Sequence, residues 1–95
     1  MKALLAHLNG TGEFVLCGDF NAPRGGEMFA ELSSRYTDNV PASYLSSLDP
    51  KLHRAGNLER MVDGIFTTPT YLVSDVEMYS GISDHCAFTA TLQKR

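Results

Sequence analysis

The chain contains no tryptophan, only two cysteines and no cluster of basic residues. Two cysteines, Cys17 and Cys86, are too few for a disulfide framework, and their spacing fits no zinc pattern. Both are read as reduced core residues, with a single Cys17–Cys86 disulfide as the alternative. Eight Lys and Arg residues against eleven Asp and Glu give a formal net charge of −3. That balance argues against a protein that coats nucleic-acid backbone, which needs a basic face. No apolar run approaches the ~18 residues of a membrane span. The start, Met1-Lys2-Ala3-Leu4-Leu5-Ala6-His7, is too short an apolar patch for a signal-peptide core. The expected setting is therefore cytoplasmic, without a targeting or membrane-spanning segment.

What is present is 95 residues, 43% of them hydrophobic, enough for one small domain over 1–95 with a thin core. Ala3 to Leu8 reads as helix, with Leu4, Leu5 and Leu8 on one face and Gly10-Thr11-Gly12 as its stop. Phe14 to Cys17 is a continuous apolar run, the pattern of a strand buried on both faces. A turn with Pro23, Gly25 and Gly26 leads to a short helix, Glu27 to Leu32, with Met28, Phe29 and Leu32 on one side. Turn formers dominate from Ser33 to Gly56, with a short strand expected near Tyr44 to Ser46. Three strands follow: Met61 to Thr67, Tyr71 to Tyr79 with Leu72, Val76 and Met78 on one face, and Cys86 to Leu92 in clean alternation. Their short connections predict antiparallel pairing among the three. The expected class is α+β, a mostly antiparallel sheet with flanking helices.

The polar residues that interrupt these runs are the candidate chemistry. Gly18-Asp19-Phe20-Asn21 follows the first strand, and in extended chain Asp19 and Asn21 share one side. A carboxylate there can orient water, accept its proton or hold a metal, and an amide can donate to a phosphate oxygen. Taken alone, the pair equally fits a turn cap. Ser83-Asp84-His85 precedes the last strand and offers a carboxylate beside an imidazole, or simply a polar turn. Asp63 opens the apolar run Val62-Asp63-Gly64-Ile65-Phe66, where a carboxylate needs water or a partner, and His85 is the obvious partner.

The three motifs in this order, each at a strand edge, resemble the endonuclease/exonuclease/phosphatase superfamily, the deoxyribonuclease-I-like fold. The resemblance runs from about Phe14 to the C-terminus and covers only the C-terminal part of that family's domain. It implies the C-terminal portion of a four-layer α/β/β/α sandwich and a Mg2+-dependent phosphoesterase, with Mn2+ as a possible substitute. Residue by residue, it implies that Asp19 orients and deprotonates the attacking water and that Asn21 holds the phosphate. Asp63 then orients His85, and His85 contacts the scissile phosphate. Asp84 would be a metal ligand or neighbour, with Asp19 and Asn21 as further candidate ligands. The reaction would be in-line attack of water on phosphorus.

The chain also departs from the family pattern. The family's metal-binding glutamate, an early asparagine and a second histidine or tyrosine come from an N-terminal half that this chain is expected to lack. Glu13 and Glu27 lie in the wrong places to replace the glutamate, and Gly64 stands where a larger residue is usual. The expected partners are a phosphoester substrate (nucleic acid, nucleotide or phospholipid headgroup) and either the missing half or a second copy to cover an open sheet face. The alternative function is a catalytically inactive half-domain that serves binding or assembly. Arg24 and the His53-Arg54 pair are further candidates for an anionic substrate, with solvated loop residues as the plain alternative. His7 is read as an exposed helix residue.

Overall fold

The computed structural model describes residues 2–20, 24–49, 51–52 and 60–95. Two helices and five strands follow in the order α1 (Lys2–Asn9), β1 (Val15–Asp19), α2 (Glu27–Arg35), β2 (Thr37–Asp38), β3 (Asp63–Thr67), β4 (Tyr71–Tyr79) and β5 (Ala87–Lys94). β1, β3 and β2 form one antiparallel sheet with β3 in the centre, and β4 and β5 form a second antiparallel pair. This is an α+β arrangement.

Both helices pack on one face of the first sheet. α1 contributes Leu5 and Leu8, α2 contributes Phe29 and Leu32, and Phe66 of β3 meets them at the centre. The i, i+3 spacing within each helix places its two leucines or its Phe–Leu pair on one stripe. Phe20, Phe29 and Phe66 form an aromatic triangle with ring centroids 5.3 to 6.0 Å apart, in tilted or edge-to-face contact. Such geometries match the aromatic quadrupoles and add to the area buried.

Gly64 belongs to this cluster. A Cβ at Gly64 would stand 2.9 Å from a ring carbon of Phe66, 3.2 Å from Phe20 and 3.3 Å from Phe29. The absence of a larger residue at this position thus has a packing cause: three rings fill the space a side chain would use. Gly64→Ala is expected to overpack the triangle and cost about 1–3 kcal/mol. Chemical denaturation of the variant checks this, and a midpoint equal to wild type would contradict it.

Several expectations from the sequence are corrected. β3 does not pair with β4, because β1 and β2 already occupy both of its edges. The chain instead turns after β3, with the Tyr71 amide donating to the Thr68 carbonyl, and starts a new sheet. No strand forms at Tyr44 to Ser46; the short strand of that region is Thr37–Asp38. β1 is covered on one face only, and Val15 and Cys17 on its other face are exposed. Cys17 is therefore no core residue, whereas Cys86 is buried, and both thiols are free. Met28 is exposed rather than packed beside Phe29 and Leu32.

The alternation assigned to β4 fails at its middle. The β4–β5 register shifts between Ser74 and Glu77, and Asp75 adopts a positive φ of 53°. A bulge of this kind reverses the inward side, so that Tyr71 and Val73 before it, and Val76 and Met78 after it, are the half-buried residues. Leu72 is exposed as a result; Leu92 on β5, opposite Val73, is exposed as well. Among the described residues no helix is long and apolar enough to cross a membrane.

Candidate functional site

β1 and β3 run antiparallel in a register that sets Cys17 opposite Ile65, Gly18 opposite Gly64 and Asp19 opposite Asp63. Directly opposed residues project to the same face. Asp19 and Asp63 therefore emerge together, on the face away from the helices. The pairing continues one step further, with the Phe20 amide donating to the Val62 carbonyl at 2.9 Å. Gly18 has φ +144°, a conformation that L residues rarely adopt, and this fixes the chain direction immediately before Asp19.

Opposed like charges destabilise a sheet. The compensation comes from His85, which precedes β5. Its Nδ1 lies 2.8 Å from Asp63 Oδ2, and its Nε2 lies 3.6 Å from Asp19 Oδ2. The imidazole thus stands between the two carboxylates, and one donor atom from each of the three residues falls within 4.8 Å of the others. The side chains of His85, Asp19 and Asp63 are 28%, 37% and 15% exposed, so Asp19 is the most exposed of the three and Asp63 the most enclosed. Beside it is a cleft of about 250 Å³ between the sheets, lined by Cys17, Ile65, Cys86 and Phe88 together with Gly18, Asp63 and Gly64.

Asp63 favours the protonated form of His85. The hydrogen bond to Asp63 raises the His85 pKa above its ordinary value of 6.5, burial opposes that rise, and the charges of Asp63, Asp19 and Asp84 add to it. A raised folded-state pKa stabilises the fold fully below the unfolded value, and this contribution is lost as pH rises through the folded value. In metal-free buffer the His85 ring resonances should therefore titrate above 6.5, and Asp63→Asn should bring the midpoint down. A wild-type midpoint at or below 6.5 would contradict the pairing.

The sequence-based candidates divide as follows. Asp19, Asp63 and His85 are brought together. Asp84 is exposed, lies outside that donor set and contributes its backbone carbonyl to the Asp49 amide. Asn21, His53 and Arg54 lie outside the described residues. Arg24 is committed to the scaffold: its guanidinium donates to the carbonyls of Val40, Pro41 and Tyr44, and its Nε sits 3.4 Å from Asp38. His7 is exposed on α1.

Sequence reasoning missed two residues, Ser47 and Asp49, in a segment read only as loop. Ser47 is fully buried, and its Oγ accepts from the amides of Val62 and Asp63. Asp49 is 2% exposed, and its carboxylate accepts from the amides of Lys51, Leu52 and Gly81. The Gly81 hydrogen bond, followed by that of Lys51, lowers the Asp49 pKa below 3.8, so its contribution to stability is lost only as pH falls through that depressed value. The one available signal was compositional: Ser-Ser-x-Asp is rich in side chains that bond nearby backbone.

Comparison of the chain with protein-family models, with curated proteins and with solved structures finds no match.

Proposed function

We propose that the chain is part of a metal-dependent phosphoesterase, with Asp19, Asp63 and His85 as its working residues. The observation that carries this reading is the imidazole set between two cross-strand carboxylates, 2.8 Å from one and 3.6 Å from the other. Its support in the sequence is the motif order Gly-Asp-Phe-Asn, Val-Asp-Gly-Ile-Phe, Ser-Asp-His. The reading places the chain in a four-layer sandwich of which it supplies the C-terminal portion.

The donor chemistry fits a hard divalent ion. Mg2+ takes one or two carboxylates and keeps several waters, and Asp19 offers an exposed carboxylate beside that of Asp63. Asp19, with Asp63 or Asp84 and Asn21 as further donors, would hold Mg2+ or Mn2+. Such an ion supplies charge neutralisation at the phosphate oxygens. The chain's own groups do the rest. Asp63 Oδ2 accepts a hydrogen bond from Nδ1–H and so fixes the ring, which leaves Nε2 directed toward Asp19 and any bound phosphate. Asp19 orients a water and takes its proton as that water attacks phosphorus in line with the leaving group. When its ring carries both protons, His85 donates through Nε2–H to a phosphate oxygen and stabilises the growing negative charge.

Hydrolysis of a generic phosphodiester by the purified full-length protein, the chain joined to the N-terminal half this reading requires, tests the reading. Turnover should appear with Mg2+ or Mn2+ and vanish when a chelator is added; turnover that survives the chelator would count against it. A second reading rests on a different observation, the exposure of Val15, Leu72, Tyr79, Ile82 and Leu92. It makes the chain a non-catalytic binding or assembly module, with self-association and no turnover in any metal as its signature.

A further inference from the structure

We propose that Ser47 is the positioning residue that joins the two sheets and sets the Asp63–His85 pair. Asp63 belongs to the first sheet and His85 leads into the second, and no strand pairing links those sheets among the described residues. The segment 46–49 lies between them as a strip. On one side, the Ser47 amide donates to the Arg60 carbonyl at 3.0 Å, and Ser47 Oγ accepts from the Val62 and Asp63 amides at 3.0 and 3.2 Å. On the other side, the Ser47 carbonyl accepts from the Cys86 amide at 2.6 Å, Leu48 forms an isolated bridge with His85, and the Asp49 amide donates to the Asp84 carbonyl at 2.9 Å. One residue thus bonds the backbone of Asp63 and the backbone next to His85.

The Oγ contact is the specific part. Backbone bonds survive any substitution, but only a side chain with an acceptor at this point satisfies the two amides that enter β3. Ser47 is 0% exposed, so water does not replace it. Without it, the amides of Val62 and Asp63 are left buried and unpaired, and the start of β3 moves to find partners. The Asp63 carboxylate then shifts relative to the ring that depends on it. Ser47 touches no reacting atom; it acts through Asp63.

The inference rests on the phosphoesterase reading only where it concerns rate, and the primary readout is therefore spectroscopic. At a pH where His85 is neutral, 15N shifts of its ring should show the Nδ1–H tautomer in the wild-type protein. Ser47→Ala should redistribute the ring toward Nε2–H and speed amide exchange at Asp63 roughly tenfold or more. Ser47→Thr, which keeps the hydroxyl, should restore both. Where hydrolysis is measurable, Ser47→Ala should lower kcat with KM little changed. A Ser47→Ala protein that keeps the Nδ1–H tautomer and the protected Asp63 amide overturns the proposal. Should Ser47→Ala not fold, amide exchange in the wild type decides: protection of Val62 and Asp63 like that of strand interiors supports the proposal, and free exchange overturns it. A wild-type protein that shows the tautomer and the protection yet hydrolyses nothing overturns the functional reading and leaves the positioning role standing.

Discussion

His85→Ala is expected to lower metal-dependent phosphoester hydrolysis by roughly 10²- to 10⁴-fold, the range for loss of a positioned acid or base. The cause lies in the geometry of the two ring nitrogens. Nδ1 is engaged by Asp63 at 2.8 Å, so the ring cannot swing away, and Nε2 is left facing the Asp19 side of the cluster. Alanine removes the donor and leaves two opposed carboxylates without the imidazole between them. The fold should persist, because His85 lies outside the aromatic core and is 28% exposed. Rates measured alongside circular dichroism separate the two effects. A well-folded His85→Ala protein with full activity would remove His85 from the mechanism. Asp63→Asn is the informative companion: it keeps the shape but removes the charge that fixes the ring, and the account expects it to lose rate as well.

The largest effect on stability is expected at Phe66. Its ring is fully buried, touches Phe20 and Phe29, and lies among the leucines of both helices. Phe66→Ala removes the shared member of that cluster and leaves a cavity, at a cost of about 3–5 kcal/mol. A domain of this size has only about 5–14 kcal/mol of total stability. The variant should therefore unfold at markedly lower denaturant, and near the lower bound it would keep only about 0–2 kcal/mol, with up to about half the molecules unfolded in buffer. The site should fail with it, since Phe20 follows Asp19 directly and Gly64 packs beneath both rings. A Phe66→Ala midpoint within experimental error of wild type would show that the triangle is not the core.

Residues that obey local rules were legible from the sequence. Leu5 and Leu8, or Phe29 and Leu32, recur at helical spacing and are buried as that spacing requires. Asp63 was conspicuous because a carboxylate inside an apolar run needs a partner, and the contact with His85 is present. Residues whose role depends on non-local pairing were not legible. The bulge at Ser74–Glu77 is invisible to a period-2 reading, because one inserted residue leaves the composition unchanged and reverses every later side chain. The exposure of Val15 and Cys17 depends on what lies over the far face of the sheet, which an apolar run cannot reveal. Ser47 and Asp49 resemble ordinary loop residues in sequence, and their importance comes from amides 15 to 32 positions away.

The sheet edge illustrates how the fold serves the site. The β1–β3 register sets Asp19 against Asp63, and the strip around Ser47 brings His85 to the pair. Each step is a backbone event, and the three side chains meet only as its outcome. Two carboxylates placed opposite each other cost stability, and the imidazole set between them offsets that cost.

The most direct measurement is phosphodiester hydrolysis in 18O-labelled water, with and without Mg2+, for the wild-type protein and Asp19→Asn. The account predicts Mg2+-dependent turnover that places one 18O on phosphorus in the product, with loss of that turnover in Asp19→Asn. Absence of turnover with Mg2+ or Mn2+ by the folded full-length protein, the chain joined to the N-terminal half that the reading requires, or label recovered in the alcohol instead of the phosphate, would contradict it.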